Sequence, residues 1–268
     1  MKKVFRTVKA FVAICSILAL SYSCSDDAKK LSEEQGLNKT DVISVLNVDD
    51  VSGLTDSILT DIFAANTQSG KISTTNKINN CFETTFTNTG YTATFDNCSV
   101  DGADNVNGTI NVTFALENGT LAYTATYSNF SIGNISIEGT KGVIINSTSN
   151  DTQMSLSVTS NITIVLEDDT VVKETGTKTL VVTQGVSNAT STITIEGDWV
   201  LQVDNDIYTV SVIDTLEGSL ACDYLTTGVM NITKNGLSVK VNFGEGTCDD
   251  SAILIYPNGV EEEFTLED

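Results

Sequence analysis

Thirty-five carboxylates, six cysteines and no histidine set the chemistry open to this 268-residue chain. Without an imidazole, Ser-His-Asp and Cys-His nucleophilic catalysis, histidine proton shuttling and ordinary histidine–zinc sites are excluded. Paired carboxylates could hydrolyse a glycosidic bond, but no motif isolates two acids from so many. The Asp-rich segments Asp101-Gly102-Ala103-Asp104-Asn105 and Asp204-Asn205-Asp206 do not match an EF-hand spacing and read as ordinary Asx turns. The cysteines carry more information. Cys15 falls in an apolar leader and Cys24 just behind it, leaving Cys81, Cys98, Cys222 and Cys248, with no Cys-x-x-Cys among them.

The leader explains Cys24. Lys2, Lys3, Arg6 and Lys9 make a basic start, and residues 10–20 are an apolar run too short to span a bilayer as a helix but suited to a signal peptide. Ser21-Tyr22-Ser23-Cys24 then resembles a bacterial lipobox, with Ser21 where leucine usually stands and Leu20 one place earlier. Residues 1–23 are therefore expected to be a lipoprotein signal peptide and Cys24 the acylated residue. Several acyl chains on one cysteine give stable anchoring, at about 0.8 kcal/mol per buried methylene. Ser25-Asp26-Asp27 resembles the acidic surface-export signal of Bacteroidota lipoproteins.

Charge agrees with a covalent anchor. Past the leader, 10 basic residues face 35 acids, a net charge of −25. That surface repels nucleic-acid phosphates and anionic headgroups alike, so no nucleic-acid partner is expected and membrane attachment should be through lipid. In an exported chain, four remaining cysteines predict disulfides, with three pairings open.

The positioning elements follow from periodicity. Residues 24–47 are polar and read as the acylated cysteine with a flexible tether. Over 48–68, Val51, Leu54, Ile58 and Ile62, widened by Leu59 and Phe63, form a helical stripe that should pack on a sheet. Asp50 or Ser52 would cap this helix, Asn66 would end it, and Asp56 and Asp61 would face solvent. From residue 69 to 268 the period is two. Examples are Tyr91–Phe95, Ile110–Phe114, Met154–Val158, Ile162–Leu166, Tyr208–Val212 and Leu237–Val241. Asp101-Gly102, Asn107-Gly108, Asn118-Gly119, Asn235-Gly236 and Asn258-Gly259 supply turn signals.

The expectation is an all-β fold. A large antiparallel meander of about a dozen short strands, a curled sheet or a sandwich, should carry one N-terminal helix. One sheet face is Thr, Ser and Asn and the other aliphatic or aromatic, so one should be wet and one dry. Trp199, the sole tryptophan, reads as core or edge packing rather than a sugar platform. Hairpins around Asn88-Thr89-Gly90 and Asn235-Gly236 would bring Cys81 to Cys98 and Cys222 to Cys248, at about 3 kcal/mol per bridge.

Two further signals concern modification and family. Asp-Ser/Thr-aliphatic triplets resembling the Bacteroidota O-glycosylation acceptor place candidate sites at Ser57, Thr170, Thr215 and Ser251. The run Phe95-Asp96-Asn97-Cys98, Asp101-Gly102 and Asn107–Ile110, and the closing Val241–Asp250, Asn258-Gly259 and Phe264–Leu266, resemble motifs of an uncharacterised family of Bacteroidota outer-membrane and surface lipoproteins. That resemblance implies an extended antiparallel sheet and supports the two local disulfides. It carries over no catalytic residue and no cofactor. The expected function is a non-enzymatic, lipid-anchored outer-membrane protein, exposed on the cell surface, that binds an envelope protein or glycan or has a structural role. A carbohydrate-binding adhesive module is the alternative, and a carboxylate hydrolase the weakest reading.

Overall fold

The computed structural model describes residues 37–67, 75–78, 81–100, 103–117, 119–146, 148 and 152–266. Among the described residues are one long helix, α1 (Lys39–Thr67), and fourteen strands. The first seven are β1 (Thr75–Ile78), β2 (Phe82–Thr87), β3 (Gly90–Val100), β4 (Ala103–Glu117), β5 (Thr120–Ile132), β6 (Ile135–Asn146) and β7 (Gln153–Val165). The rest are β8 (Val171–Thr183), β9 (Thr192–Val203), β10 (Asp206–Ser219), β11 (Thr227–Lys234), β12 (Leu237–Glu245), β13 (Ser251–Ile255) and β14 (Glu261–Thr265). They form a single antiparallel sheet in strict chain order, β1 through β14, that does not close. The all-β meander with one N-terminal helix is as expected. Its form is a curled sheet and not a sandwich.

Curling is what keeps one face dry. Thirteen strand steps at about 4.8 Å make a sheet about 62 Å wide, whereas 29 helical residues extend about 43 Å. One helix about 10 Å across cannot cover a flat sheet of that width. Yet inner-face residues from Phe82 on β2 to Phe264 on β14 join one buried cluster with Val42, Val45, Ile58 and Ile62 of the helix. The sheet therefore bends around α1. Glycines in mid-strand permit the bend: Gly139 (φ 110°) faces Tyr127, and Gly176 (φ 149°) faces Trp199, where a Cβ would collide with the neighbouring strand.

Several local expectations need correction. The helix begins at Lys39, not at 48, so residues 39–47 of the expected tether are helical. Asn38 caps it: its Oδ1 accepts from the Asp41 N–H (3.0 Å), and Asp41 Oδ2 accepts from the Asn38 N–H (3.0 Å), a reciprocal capping box. Ser52 caps nothing and is buried in mid-helix, and Asp56 faces the sheet rather than solvent. Asn107-Gly108 is not a hairpin turn. It lies inside β4, where the register with β5 shifts by a bulge. Met154–Val158 and Ile162–Val165 belong to one 13-residue strand. Asn235-Gly236 does close a two-residue hairpin, both residues at positive φ (53° and 82°), as a type I′ turn requires. Asp101-Gly102 and the Cys24 segment lie outside the described residues.

Candidate functional site

Both expected cysteine pairs form. Cys81 and Cys98 are bonded with Cα atoms 5.1 Å apart, and Cys222 and Cys248 with Cα atoms 5.8 Å apart. The first closes the β2–β3 hairpin; the second ties the β10–β11 connection to the β12–β13 connection.

The densest chemistry lies between α1 and the sheet, in residues the sequence reading passed over. Three lysines point from the sheet into the dry face: Lys141 on β6, Lys178 on β8 and Lys234 on β11. Each meets an aspartate of α1. Lys141 Nζ donates to Asp56 Oδ1 (2.5 Å), to the Ser52 carbonyl (2.9 Å) and to Ser52 Oγ (3.0 Å), which uses all three of its protons. Lys178 donates to Asp49 and lies 4.3 Å from the centre of the Trp199 ring. Lys234 donates to Asp41 (3.3 Å), to the Tyr208 hydroxyl (3.0 Å) and to Asp206 Oδ2 (2.9 Å). Tyr208 in turn donates to Asp41 Oδ1 (2.7 Å).

Helix geometry explains the spacing. Asp41, Asp49 and Asp56 are eight and seven residues apart, about two turns each, so they share one face. The corresponding rises are about 12 and 10.5 Å. The three lysines sit three strands and two strands apart, about 14 and 10 Å. The helix therefore crosses the strands close to a right angle, each two-turn step meeting the next lysine-bearing strand.

Between the first two lysines lies Glu174 on β8, fully buried. Its Oε1 accepts from Ser52 Oγ (3.0 Å), Lys178 Nζ is 4.0 Å away, and its Oε2 has no hydrogen-bond partner. The Tyr127 hydroxyl and the Trp199 indole nitrogen are likewise buried without partners. Burial works against the Glu174 charge, but Lys178, Lys141 and hydroxyl hydrogen bonds hold its carboxyl below the usual range. Asp49 moves the other way: burial, reinforced by Glu174, pushes it up despite Lys178. Desolvation opposes the Lys178 charge, but Asp49 and Glu174 outweigh it and raise the ammonium. Asp50, adjacent to Asp49 but exposed, is drawn up to about 6 by its surroundings and the Asp49 charge, and solvent screens much of that effect.

Strand parity is the signal that could have found the lysines. Lys141 alternates with buried Ile137 and Val143, Lys178 with Val172 and Glu174, and Lys234 with Met230 and Ile232. Each is a cation at an inward position.

The opposite face is wet. A register-matched row runs from Thr92 on β3 through Asn111, Thr126, Thr140 and Asn161 to Thr175 on β8. Past Val200 it resumes at Thr209, Thr233 and Ser238. Thr92 Oγ1 donates to Asn111 Oδ1 (2.9 Å) within the row, and Thr159 and Thr177 bond across strands beside it (3.1 Å). A cleft of about 520 Å³, lined by Asn231, Ser238, Lys240, Tyr256 and Pro257 among others, opens where β12 runs on beyond its pairing with β13. It shares no residue with the lysine seam.

Of the candidate glycosylation positions, Thr215 is exposed and donates to Glu196 (2.6 Å). Ser57, Thr170 and Ser251 are half-buried, Ser251 donating to Glu263 (3.0 Å). The four are scattered over α1, the β7–β8 turn, β10 and β13 and form no common site. Among the described residues, no three of the metal-ligating side chains gather as a cation site. Trp199 is core, as expected. No protein-family model, curated protein or solved structure matches the chain.

Proposed function

We propose that this chain is a non-enzymatic, lipid-anchored protein of the bacterial cell envelope, held at the outer membrane through Cys24 and exposed on the cell surface, with a binding or structural role. The observation that carries this reading is the pair of disulfides across the hairpins, behind a leader ending at a lipobox-like cysteine. Disulfides persist where the compartment is oxidising, which suits an exported chain. The inner face is taken up by α1, so the surface available to a partner is the outer face with its connections.

The neutral outer row favours one second reading, a carbohydrate-binding or adhesive module. In a chain of net charge −21, the row from Thr92 to Ser238 carries no charged residue. Hydroxyl and amide groups in that arrangement suit an uncharged, hydroxyl-rich polymer.

Mass spectrometry of membrane fractions tests the anchor. Diacylglyceryl on Cys24, and release of a Cys24→Ser variant into the soluble fraction, are expected; an unmodified soluble wild-type protein refutes it. Protease treatment of intact cells should remove the protein, and full protection would place it on the inner side. Glycan-array binding lost on replacing Thr126 and Thr175 with Lys would select the second reading.

A further inference from the structure

Counting charge in the dry part of the seam gives an imbalance. Lys141 and Lys178 face Asp49, Asp56 and Glu174, two cations against three carboxylates, with side-chain exposures of 0%, 8%, 21%, 10% and 0% in that order. Lys234 does not redress this, because it serves Asp41 and the half-exposed Asp206 three strands away. Lys141 has spent its three protons on Asp56 and Ser52. Among the described residues, Lys178 is therefore the one cation in direct reach of both Asp49 and Glu174, and Lys141 acts on them only from farther off. An unbalanced charge in a water-poor seam is expensive, and the cheapest remedy is a bound proton.

We propose that the seated helix is a proton-binding device: Asp49 and Glu174, both within 4.0 Å of the Lys178 ammonium, share one proton when α1 lies on the sheet, and losing it loosens α1. The proton exchanges at Asp49, since Glu174 is sealed. The groups facing this pair are Asp50, Ser52 and Asp56 from α1, Tyr127 from β5, with Tyr123 beside Asp56, and Lys141 from β6. Ser160 comes from β7 and Trp199 from β9. The two tyrosines are pushed up by burial and stay neutral, so neither supplies the missing charge. The two carboxylates titrate as a unit.

The sign follows from linkage. A carboxyl raised in the folded state, as Asp49 is, contributes stability that is complete below its unfolded pKa and is lost as pH rises through the folded value. Glu174, lowered, contributes above its unfolded pKa and is lost in acid. The helix should be held best in mild acid and loosen as pH climbs, well before Lys178 gives up its proton.

Trp199, the sole tryptophan, lies beneath Lys178 and reports the state of the seat. In the full-length protein, carbon-detected NMR of the Asp49 carboxyl should show a midpoint above the ordinary aspartate value. Trp199 emission and amide exchange of residues 45–60 should change over the same pH range. Asp49→Asn should abolish that change, leaving α1 protected at higher pH. Glu174→Gln should lower the Asp49 midpoint by about one unit or more, because Lys178 then serves Asp49 alone. An Asp49 midpoint at or below the ordinary value in the wild type overturns the proposal, as does Trp199 emission that stays flat while Asp49 titrates. Should either variant fail to fold, the wild-type titration alone decides.

Discussion

Between β2 and β5 the inner face is closed by aromatic rings, whereas from β6 to β11 it is closed by ion pairs to the helix. In the first region Phe82 stacks on Phe95 (5.2 Å between centroids), Phe95 meets Phe130 edge-on (5.7 Å), and Tyr127 lies against Phe130 (5.3 Å). The Cys81–Cys98 bridge borders this cluster. In the second region the strands offer Lys141, Lys178 and Lys234, and α1 answers with Asp56, Asp49 and Asp41. Burial of apolar surface is non-directional and needs no ionised group. Buried ion pairs tolerate one geometry and punish any other, since a lone buried charge is costly. The aromatic side thus supplies cohesion, and the charged side fixes where the helix lies.

The largest effect that would break this contrast is loss of a single buried cation. Lys141→Met strands the Asp56 carboxylate and should cost about 3–5 kcal/mol, read by urea denaturation. Phe130→Ala should cost about 3–5 kcal/mol as well, through a cavity. The two should differ in kind: adding Asp56→Asn should recover part of the Lys141→Met loss, because no stranded carboxylate then remains, and none of the Phe130→Ala loss. Equal behaviour of the two losses in the Asp56→Asn background would erase the distinction between the regions.

Replacing both Cys81 and Cys98 by Ser should destabilise by about 3 kcal/mol, and the Cys222/Cys248 pair by slightly more because its loop is longer. Neither change should move the Trp199 emission maximum of the folded protein, since no bridged cysteine lies on β8 or β9, the strands that carry Lys178 and Trp199. The smallest effect is at the helix start. Asn38→Ala should cost about 1 kcal/mol and raise amide exchange only in the first turn of α1, because tertiary contacts hold the rest.

The aromatic side was legible from sequence and the charged side was not. Alternation at Tyr91–Phe95 and Ile110–Phe114, with the Asn88-Thr89-Gly90 turn between flanking cysteines, pointed directly to the β2–β4 hairpins and to the Cys81–Cys98 bridge. The helix was found only in its later half. Val42, Val45 and Leu46 are buried, but Thr40, Asp41, Ser44 and Asn47 among them made residues 39–47 look like tether. The same habit assigned Asp56 to solvent. A charged residue is read as exposed unless its partner is known, and these partners lie 85 to 193 residues away in the chain. Only the inward parity of three lysines carried the missing information.

A double-mutant cycle on Lys141 and Asp56 tests most directly whether ion pairs seat the helix. Lys141→Met, Asp56→Asn and the double variant would be compared by urea denaturation at pH 7. The structure predicts that the double variant is far less damaged than the sum of the singles, with a coupling of about 2–3 kcal/mol. Additive losses within about 0.5 kcal/mol would mean the two residues act independently and would contradict a charge-seated helix.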